Sequence, residues 1–435
     1  LATFITIEIV IGIVGGLSAA ILYAAFSLTS YFYLAGFLLI AAIATGVGLE
    51  IPLITRIIHR FGTLSSALAN ALAFDYIGGL VASILFPLVM LPYLGIMKTA
   101  FLVGMLNLAI AVVNAWYFRQ ELAAYRKLMA ASLLGLVVLT SGFVYSFRVS
   151  SFFEHFLYQD EIIYAAQTPY QRIVLTKFKD DVRLFLNGDL QFSSIDEYRY
   201  HEALVHPAMS LARKRERILV LGGGDGLALR EIFKYPDVQE VTLVDIDQAM
   251  TNLGAQHPLL KQLNGDALAD ARVRVVNTDA QKFLENTAAL YSVIIIDLPD
   301  PNDLALGKLY STEFYGLVQR RLDADGLMVA QSTSPYFSRK AFWSIHETLG
   351  EVFDTIIPYT VHVPTFGQWG MNLAGNISID TAAVSISVPV QYLEPQVVPT
   401  LFVFDSDTAK IDVEANRLDN QVLVQYYADS LGDWR

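Results

Sequence analysis

The chain has 435 residues, with 30 Lys and Arg against 42 Asp and Glu, and no cysteine. Its hydrophobic fraction of 54% and mean hydropathy of +0.44 are too apolar for an ordinary soluble enzyme. The length allows two or three domains, and the lack of cysteine excludes disulfides, thiolate metal sites and cysteine nucleophiles.

The apolar excess is local. Residues 1–150 hold seven basic and four acidic side chains, leaving 23 and 38 in 151–435, so the two parts carry +3 and −15. The acidic part argues against a nucleic-acid partner, which needs a basic face, and suits a cationic small substrate. Five apolar runs, near 3–28, 31–54, 66–95, 98–118 and 128–147, approach or exceed the length that crosses a bilayer. They predict a multi-span transmembrane domain over 1–148, in contact with lipid. The first run is too long for a cleaved signal peptide, and the opening on Leu1 within it predicts further chain upstream. Small residues (Gly12, Gly15, Gly16, Gly46, Gly48, Gly78, Gly79) suit close helix packing in lipid. Glu50 and Asp75 are costly there, so each is either a functional carboxylate or a hydrogen-bonded link between helices.

Arg56 and Arg60 mark one loop as cytoplasmic, and Arg119, Arg126 and Lys127 mark another. Five simple spans would then leave 149–435 outside, whereas a domain using a cytoplasmic nucleoside belongs inside. The cofactor weighs more, and the expectation is a catalytic domain on the cytoplasmic side of a bacterial inner membrane. Residues 149–167 read as an interfacial linker anchored by Phe152, Phe153 and Phe156. Period-two alternation over 168–195, with turns at Asp180-Asp181 and Asn187-Gly188, predicts a small antiparallel sheet. A helix is expected from Ser194 or Asp196, carrying Tyr198, Tyr200, His201 and Glu202; taken alone, a helical histidine is usually a packing or surface residue.

Ile218 to Leu221 reads as a buried strand, Gly222-Gly223-Gly224 as a tight turn, Leu227 to Tyr235 as a helix, and Val241 to Val244 as a second strand ending at Asp245. A β-α-β unit with a glycine turn and an acid at the next strand end holds a nucleoside, the acid on a ribose diol. Strands at Arg272 to Asn277 and Tyr291 to Ile296 lead to Asp279 and Asp297, followed by a helix over 311–322 and a strand from Gly326 to Gln331. Strand-end carboxylates line the ligand cleft of an open parallel sheet. The domain is therefore expected to be α/β and Rossmann-like over 196–375, with 376–435 an accessory segment of weak strands. Asp297-Leu-Pro-Asp300-Pro301 sets two carboxylates on a stiff loop, able to bind an ammonium group and take its proton, or else to serve as a capped turn.

From Thr168 to Gly375 the chain resembles the spermidine synthase family of aminopropyltransferases. The resemblance is carried by Thr168-Pro-Tyr-Gln171, Leu186-Asn-Gly-Asp-Leu-Gln191, Asp196-Glu-Tyr-Arg-Tyr-His-Glu202 and Gly222-Gly-Gly-Asp-Gly226. It extends through Val244-Asp-Ile-Asp247, Asp297-Leu-Pro-Asp-Pro301, Tyr310-Ser-Thr-Glu-Phe-Tyr315 and Ala330-Gln-Ser-Thr-Ser-Pro335. The apolar half resembles the bacterial subgroup with an N-terminal multi-span domain. The resemblance implies decarboxylated S-adenosylmethionine as donor, putrescine or another polyamine as acceptor, methylthioadenosine as by-product, no metal, and a homodimer. It places Gln171, His201 and Asp225 at the aminopropyl-sulfonium part of the donor, beside the turn of Gly222 and Gly224. Asp245 falls to the ribose, Asp279 to the adenine and Asp297 to the reacting amine as base, while Gln191, Tyr200 and Asp300 line the acceptor side. Asp245 stands where the family usually has Glu, and Asn187 where Asp is common. Phe366, in Val363-Pro-Thr-Phe366, stands where a Tyr usually orients the amine, so donor binding is better supported than putrescine use. The alternatives are a methyltransferase, an enzyme that breaks down the donor without an amine, and a transporter or sensor whose soluble domain only binds a nucleoside or polyamine.

Overall fold

The computed structural model describes residues 1–29, 31–59, 63–158 and 160–432. Arg60, one of the residues used to orient the helices, lies outside them, as does the side chain of Phe156. The chain divides into two compact units, Leu1–Gln171 and Arg172–Arg435.

The first unit is helical: α1 (Ala2–Leu28), α2 (Phe32–Ile58), α3 (Leu64–Leu85), α4 (Leu91–Tyr117), α5 (Tyr125–Val144) and α6 (Ser146–Leu157), followed by β1 (Glu161–Gln167). Four apolar stretches are long enough to cross a membrane: Ala2–Phe26, Phe32–Ile58, Ser65–Tyr117 and Tyr125–Val144. The third is not one straight rod. A π-helical turn at Phe86–Met90 leads into α4, where Gly95 breaks the helix at φ 72°, ψ 173°, so the boundary expected between 95 and 98 falls on this glycine. Helices α1 and α4 approach through glycine: a Cβ on Gly104 would lie 2.6 Å from the Cα of Gly16. Around that crossing Ile5, Phe101, Leu108 and Leu139 are buried together. Of the carboxylates carried by these helices, Glu8 is buried, Glu50 half-buried and Asp75 exposed.

The second unit begins with the antiparallel strands β2 (Arg172–Phe178), β3 (Asp181–Leu186) and β4 (Asp189–Ser193), then α7 (Glu197–Leu211). Next come β5 (Arg217–Gly222), α8 (Leu227–Ile232), β6 (Glu240–Asp245), α9 (Gln248–Gln256), α10 (Pro258–Leu263), β7 (Val273–Asn277) and α11 (Ala280–Asn286). The unit continues through β8 (Tyr291–Asp297), α12 (Leu304–Gly307), α13 (Thr312–Gln319), β9 (Leu322–Gln331), α14 (Arg339–Gly350), β10 (Thr355–Val363) and β11 (Gly367–Gly375), and its last helix is α15 (Val422–Gly432). The seven-stranded sheet has the order β10-β11-β9-β8-β5-β6-β7, parallel from β9 to β7 and closed by the antiparallel pair β11 and β10. The order reverses between β5 and β8, the switch point where such sheets bind ligands. Ile218 to Leu221 and Val293 to Ile296 are fully buried, since helices cover both faces.

The C-terminal segment corrects the sequence reading. Among the described residues, 376–432 contains no strand; it has 3₁₀ turns at Thr381–Ala383 and Val398–Phe402 and ends in α15. Pro389, Pro395 and Pro399 remove ladder donors. The N–H groups of Gln391, Tyr392 and Leu393 donate instead to the buried carboxylate of Glu202, at 2.6, 2.9 and 3.0 Å.

Candidate active site

The site grows from one register fact. Gly222, the last residue of β5, pairs with Asp297, the last residue of β8, directly across the switch point. Gly222 adopts φ +84°, and a Cβ there would run into the carbonyl oxygen of Asp297. Only glycine therefore brings the turn this close to the carboxylate-bearing strand. At Gly224 a Cβ would lie 2.5 Å from Oδ2 of Asp245, and the Gly224 N–H donates to that oxygen at 3.1 Å. The N–H of Asp247 holds the other oxygen of Asp245 at 2.8 Å. Burial outweighs these bonds and pushes Asp245 up to about 6. Asp225 follows in the same turn, its Oδ1 accepting from the Leu227 N–H at 2.8 Å; burial likewise pushes it to about 6, against the pull of His201.

Helix α7 supplies the opposite wall. Tyr200 donates to Oδ1 of Asp297 at 2.6 Å, while the glycine turn lies beside Oδ2. Burial raises Asp297 above the usual carboxylate range, although His201 and Tyr200 both favour its charged form. His201 is buried, its Nδ1 2.8 Å from Oε2 of Glu197, one turn earlier on α7. Burial opposes the imidazolium, but the bond to Glu197 and the nearby Asp225 and Asp297 hold His201 up at about 9. Glu197 is in turn gripped by Arg230, Nη1 to Oε1 at 2.7 Å and Nη2 to Oε2 at 3.0 Å; His201 first and Arg230 second keep it below its ordinary value despite burial. The His201 cation thus stands among the carboxylates, held by a Glu197 that Arg230 grips with two bonds.

The loop after β8 is set by Tyr310, Gln331 and Thr333, which stand in the motifs without an assigned role, and by Trp369 and Tyr427, which stand outside them. Gln331 donates to the Leu298 carbonyl and, at 2.6 Å, to the Tyr310 hydroxyl, which itself reaches the Pro299 carbonyl at 2.9 Å. Trp369 Nε1 donates to Oε1 of Gln331 at 3.3 Å. Asp300 accepts from Gln331 and Thr333, each at 3.4 Å, and from the hydroxyl of Tyr427 on α15 at 2.9 Å; burial nevertheless pushes it up to about 6. Tyr427 lay in a segment where the sequence carries no recognisable chemistry, and no local signal marks it. Glu197 was findable from its i, i+4 spacing to His201.

The remaining expected residues are placed as follows. Asp279 caps α11, accepting from the Lys282 N–H at 3.1 Å, and pairs with Lys308 at 3.1 Å; these contacts outweigh burial and lower its pKa. Gln191, on β4, donates to the Asp189 carbonyl at 3.1 Å, and Asn302 ties Asp189 to the Asp300 loop at 3.3 Å. Phe366, in the turn between β10 and β11, packs at a tilt against Trp369 with ring centroids 5.3 Å apart, and Trp369 meets Tyr200 edge to face at 6.5 Å. Gln171 closes the first unit, its N–H donating to Oγ1 of Thr168 at 3.0 Å. Tyr200, His201, Gly222, Gly224, Asp225, Asp245, Asp297 and Asp300 thus gather at the carboxyl ends of the central strands, whereas Asp279 follows the edge strand β7 and Gln191 belongs to β4 of the small sheet.

Comparison with known proteins gives a consistent result. Residues 197–378 match the spermine/spermidine synthase domain. The chain is 45% identical over 424 residues to a polyamine aminopropyltransferase of Leptospira interrogans, covering 98% of this chain and 85% of the relative. It is 46% identical over 442 residues to polyamine aminopropyltransferase 2 of Ralstonia nicotianae, covering 100% and 86%. Alignments of that extent include the apolar helices. A crystal structure of spermidine synthase in complex with the transition-state analogue AdoDATO superposes with a TM-score of 0.54 at 26% identity, over 56% of this chain and 86% of that one. Spermidine synthase from Thermotoga maritima gives 0.52 at 26%, over 56% and 85%.

Proposed function

The chain belongs to the spermine/spermidine synthase family, the polyamine aminopropyltransferases, with decarboxylated S-adenosylmethionine as co-substrate, and from that premise we propose the following division of labour. The enzyme is anchored in a membrane by residues 1–148, with the catalytic unit on the cytoplasmic side. It transfers the donor's aminopropyl group to a di- or polyamine and releases methylthioadenosine. The observation that carries the reading is the pairing of Gly222 with Asp297, which sets a backbone turn fit for a nucleoside beside a Tyr200-bound carboxylate.

Asp245 takes the ribose hydroxyls, with its two oxygens already held by the Gly224 and Asp247 N–H groups. Asp279, kept ionised beside Lys308, accepts from the adenine amine. Asp225, with His201, faces the aminopropyl-sulfonium part. The donor supplies a carbon activated by the adjacent sulfonium. The amine nitrogen forms its bond to that carbon as the C–S bond breaks, and the bonding pair returns to sulfur, leaving a neutral thioether. The proton lost by nitrogen goes to Asp297. An ordinary aspartate is a weak base for an ammonium group, and the burial that raises Asp297 narrows that gap. Tyr200 occupies Oδ1, leaving Oδ2 for the amine. Asp300 and Gln191 line the acceptor side. Most of the rate then comes from positioning and fixed charge.

The test is to incubate the purified full chain with decarboxylated and ordinary S-adenosylmethionine and a panel of linear amines, reading products by mass spectrometry. Methylthioadenosine together with an aminopropylated amine is expected. Methylthioadenosine alone, or adenosylhomocysteine, overturns the reading. Retention in the membrane pellet after alkaline carbonate washing is expected for an anchored protein, and release into the wash contradicts it.

A further inference from the structure

The segment after residue 378 lies beyond the match to the family domain, yet it is fastened to the catalytic unit along its length. Glu202 binds three of its N–H groups. Trp343 donates to the Thr408 carbonyl at 3.0 Å, and Arg339 to that of Ala409 at 2.6 Å. Asn416, fully buried, donates to the carbonyls of Gly307 and Tyr310 at 2.9 and 3.2 Å, and its own N–H reaches Thr348 at 2.8 Å. Its Oδ1 accepts from the Leu423 N–H at 3.3 Å, which starts α15 against the core. One turn after the buried Leu423, the inner face of α15 carries Tyr427, whose hydroxyl meets Oδ2 of Asp300 at 2.9 Å.

A helix that only closed the core would carry an apolar side chain here, since a desolvated phenol needs a partner. Of the three donors on Asp300, Tyr427 is the nearest; Gln331 and Thr333 stand at 3.4 Å. The two Nε2 hydrogens of Gln331 go first to the Leu298 carbonyl and the Tyr310 hydroxyl. An ionised Asp300, able to accept about four hydrogen bonds, therefore keeps a direction on Oδ1 free for an ammonium group. We propose that Tyr427 is a positioning residue for the acceptor: it fixes the Asp300 carboxylate so that its free lone pair meets an ammonium group of a linear diamine. The inference rests on Asp300 lining the acceptor side, as read above. It also gives this chain a hydroxyl at the acceptor end, where Phe366 has none. The C-terminal segment is then part of amine selection as well as of the core.

The test uses full-length Tyr427→Phe, with Tyr426→Phe as a control on the same helix; the Tyr426 ring faces Lys340 instead. Initial rates are measured against pH with decarboxylated S-adenosylmethionine and putrescine. For Tyr427→Phe the acceptor KM should rise about tenfold, the scale of one lost hydrogen bond to a charged group. The donor KM and kcat should stay within about twofold. The acidic limb of kcat/KM for the amine should move to higher pH, because the Tyr427 bond favours ionised Asp300. Tyr426→Phe should move none of these. In an Asp300→Asn background, Tyr427→Phe should add nothing, and this comparison holds even if the single variant folds poorly. An unchanged acceptor KM, additive effects in the double variant, or donor and acceptor KM rising together with a lower Tm would each overturn the proposal. Failure of the wild type to aminopropylate any amine would instead strike the functional reading beneath it.

Discussion

Asp297→Asn tests the chemistry most directly, because it removes the base and changes little else. The amide has the shape of the carboxylate, and its carbonyl oxygen accepts from Tyr200 where Oδ1 now does at 2.6 Å. Gly222 still fits, since its close contact is with the backbone carbonyl of residue 297. A positioned general base contributes about 10²- to 10⁴-fold. At 1.36 kcal/mol per decade, the barrier should rise by roughly 3–5 kcal/mol. Donor affinity should fall by less than about tenfold, because Asp225 and Asp245 remain. The assay is single-turnover release of methylthioadenosine at saturating amine, with donor affinity from calorimetry. Asp297→Ala is the counterpart: it also strands the buried Tyr200 hydroxyl, costing about 1–3 kcal/mol of stability that the Asn variant keeps. Wild-type turnover by Asp297→Asn would show that the proton leaves by another route.

Three further outcomes follow from the same geometry. Asp225 and Asp245 titrate near 6, so affinity for the cationic donor should fall as pH drops through that value, and a flat calorimetric profile between pH 5 and 8 would contradict their role. His201 is raised from 6.5 to about 9, so its protonation stabilises the fold fully below about pH 6.5, and that contribution is lost as pH rises through about 9. Glu197→Gln should bring the His201 titration, followed by NMR, down from about 9 and remove that slope from the pH dependence of Tm. Glu202→Ala leaves the N–H groups of Gln391, Tyr392 and the buried Leu393 without their acceptor, so Tm should fall by roughly 4–8 °C for a loss near 2 kcal/mol. Limited proteolysis should then cut first within 390–421; a variant cut elsewhere first would show that Glu202 does not fasten the segment.

The sequence alone determined what depends on neighbours in the chain. Runs of apolar residues announced the long helices, and period two announced the small sheet. Short buried strands ending in glycine or aspartate announced the parallel sheet and its ligand edge. Those signals are local because hydrogen-bonding pattern and side-chain period are local. The tertiary structure decided which strand ends meet. The pairing of Gly222 with Asp297 is a register 75 residues apart in sequence, and nothing near either residue encodes it. It likewise decided that His201, on a helix where a packing role was the ordinary expectation, stays charged. That outcome depends on Glu197 together with Asp225 and Asp297, which stand 24 and 96 residues beyond His201 in the chain. The 376–432 segment was misread as strands because its alternating apolar residues resemble a ladder. Its N–H groups answer to Glu202, about 190 residues earlier, and only the fold brings that carboxylate, and Tyr427 with Asp300, within reach.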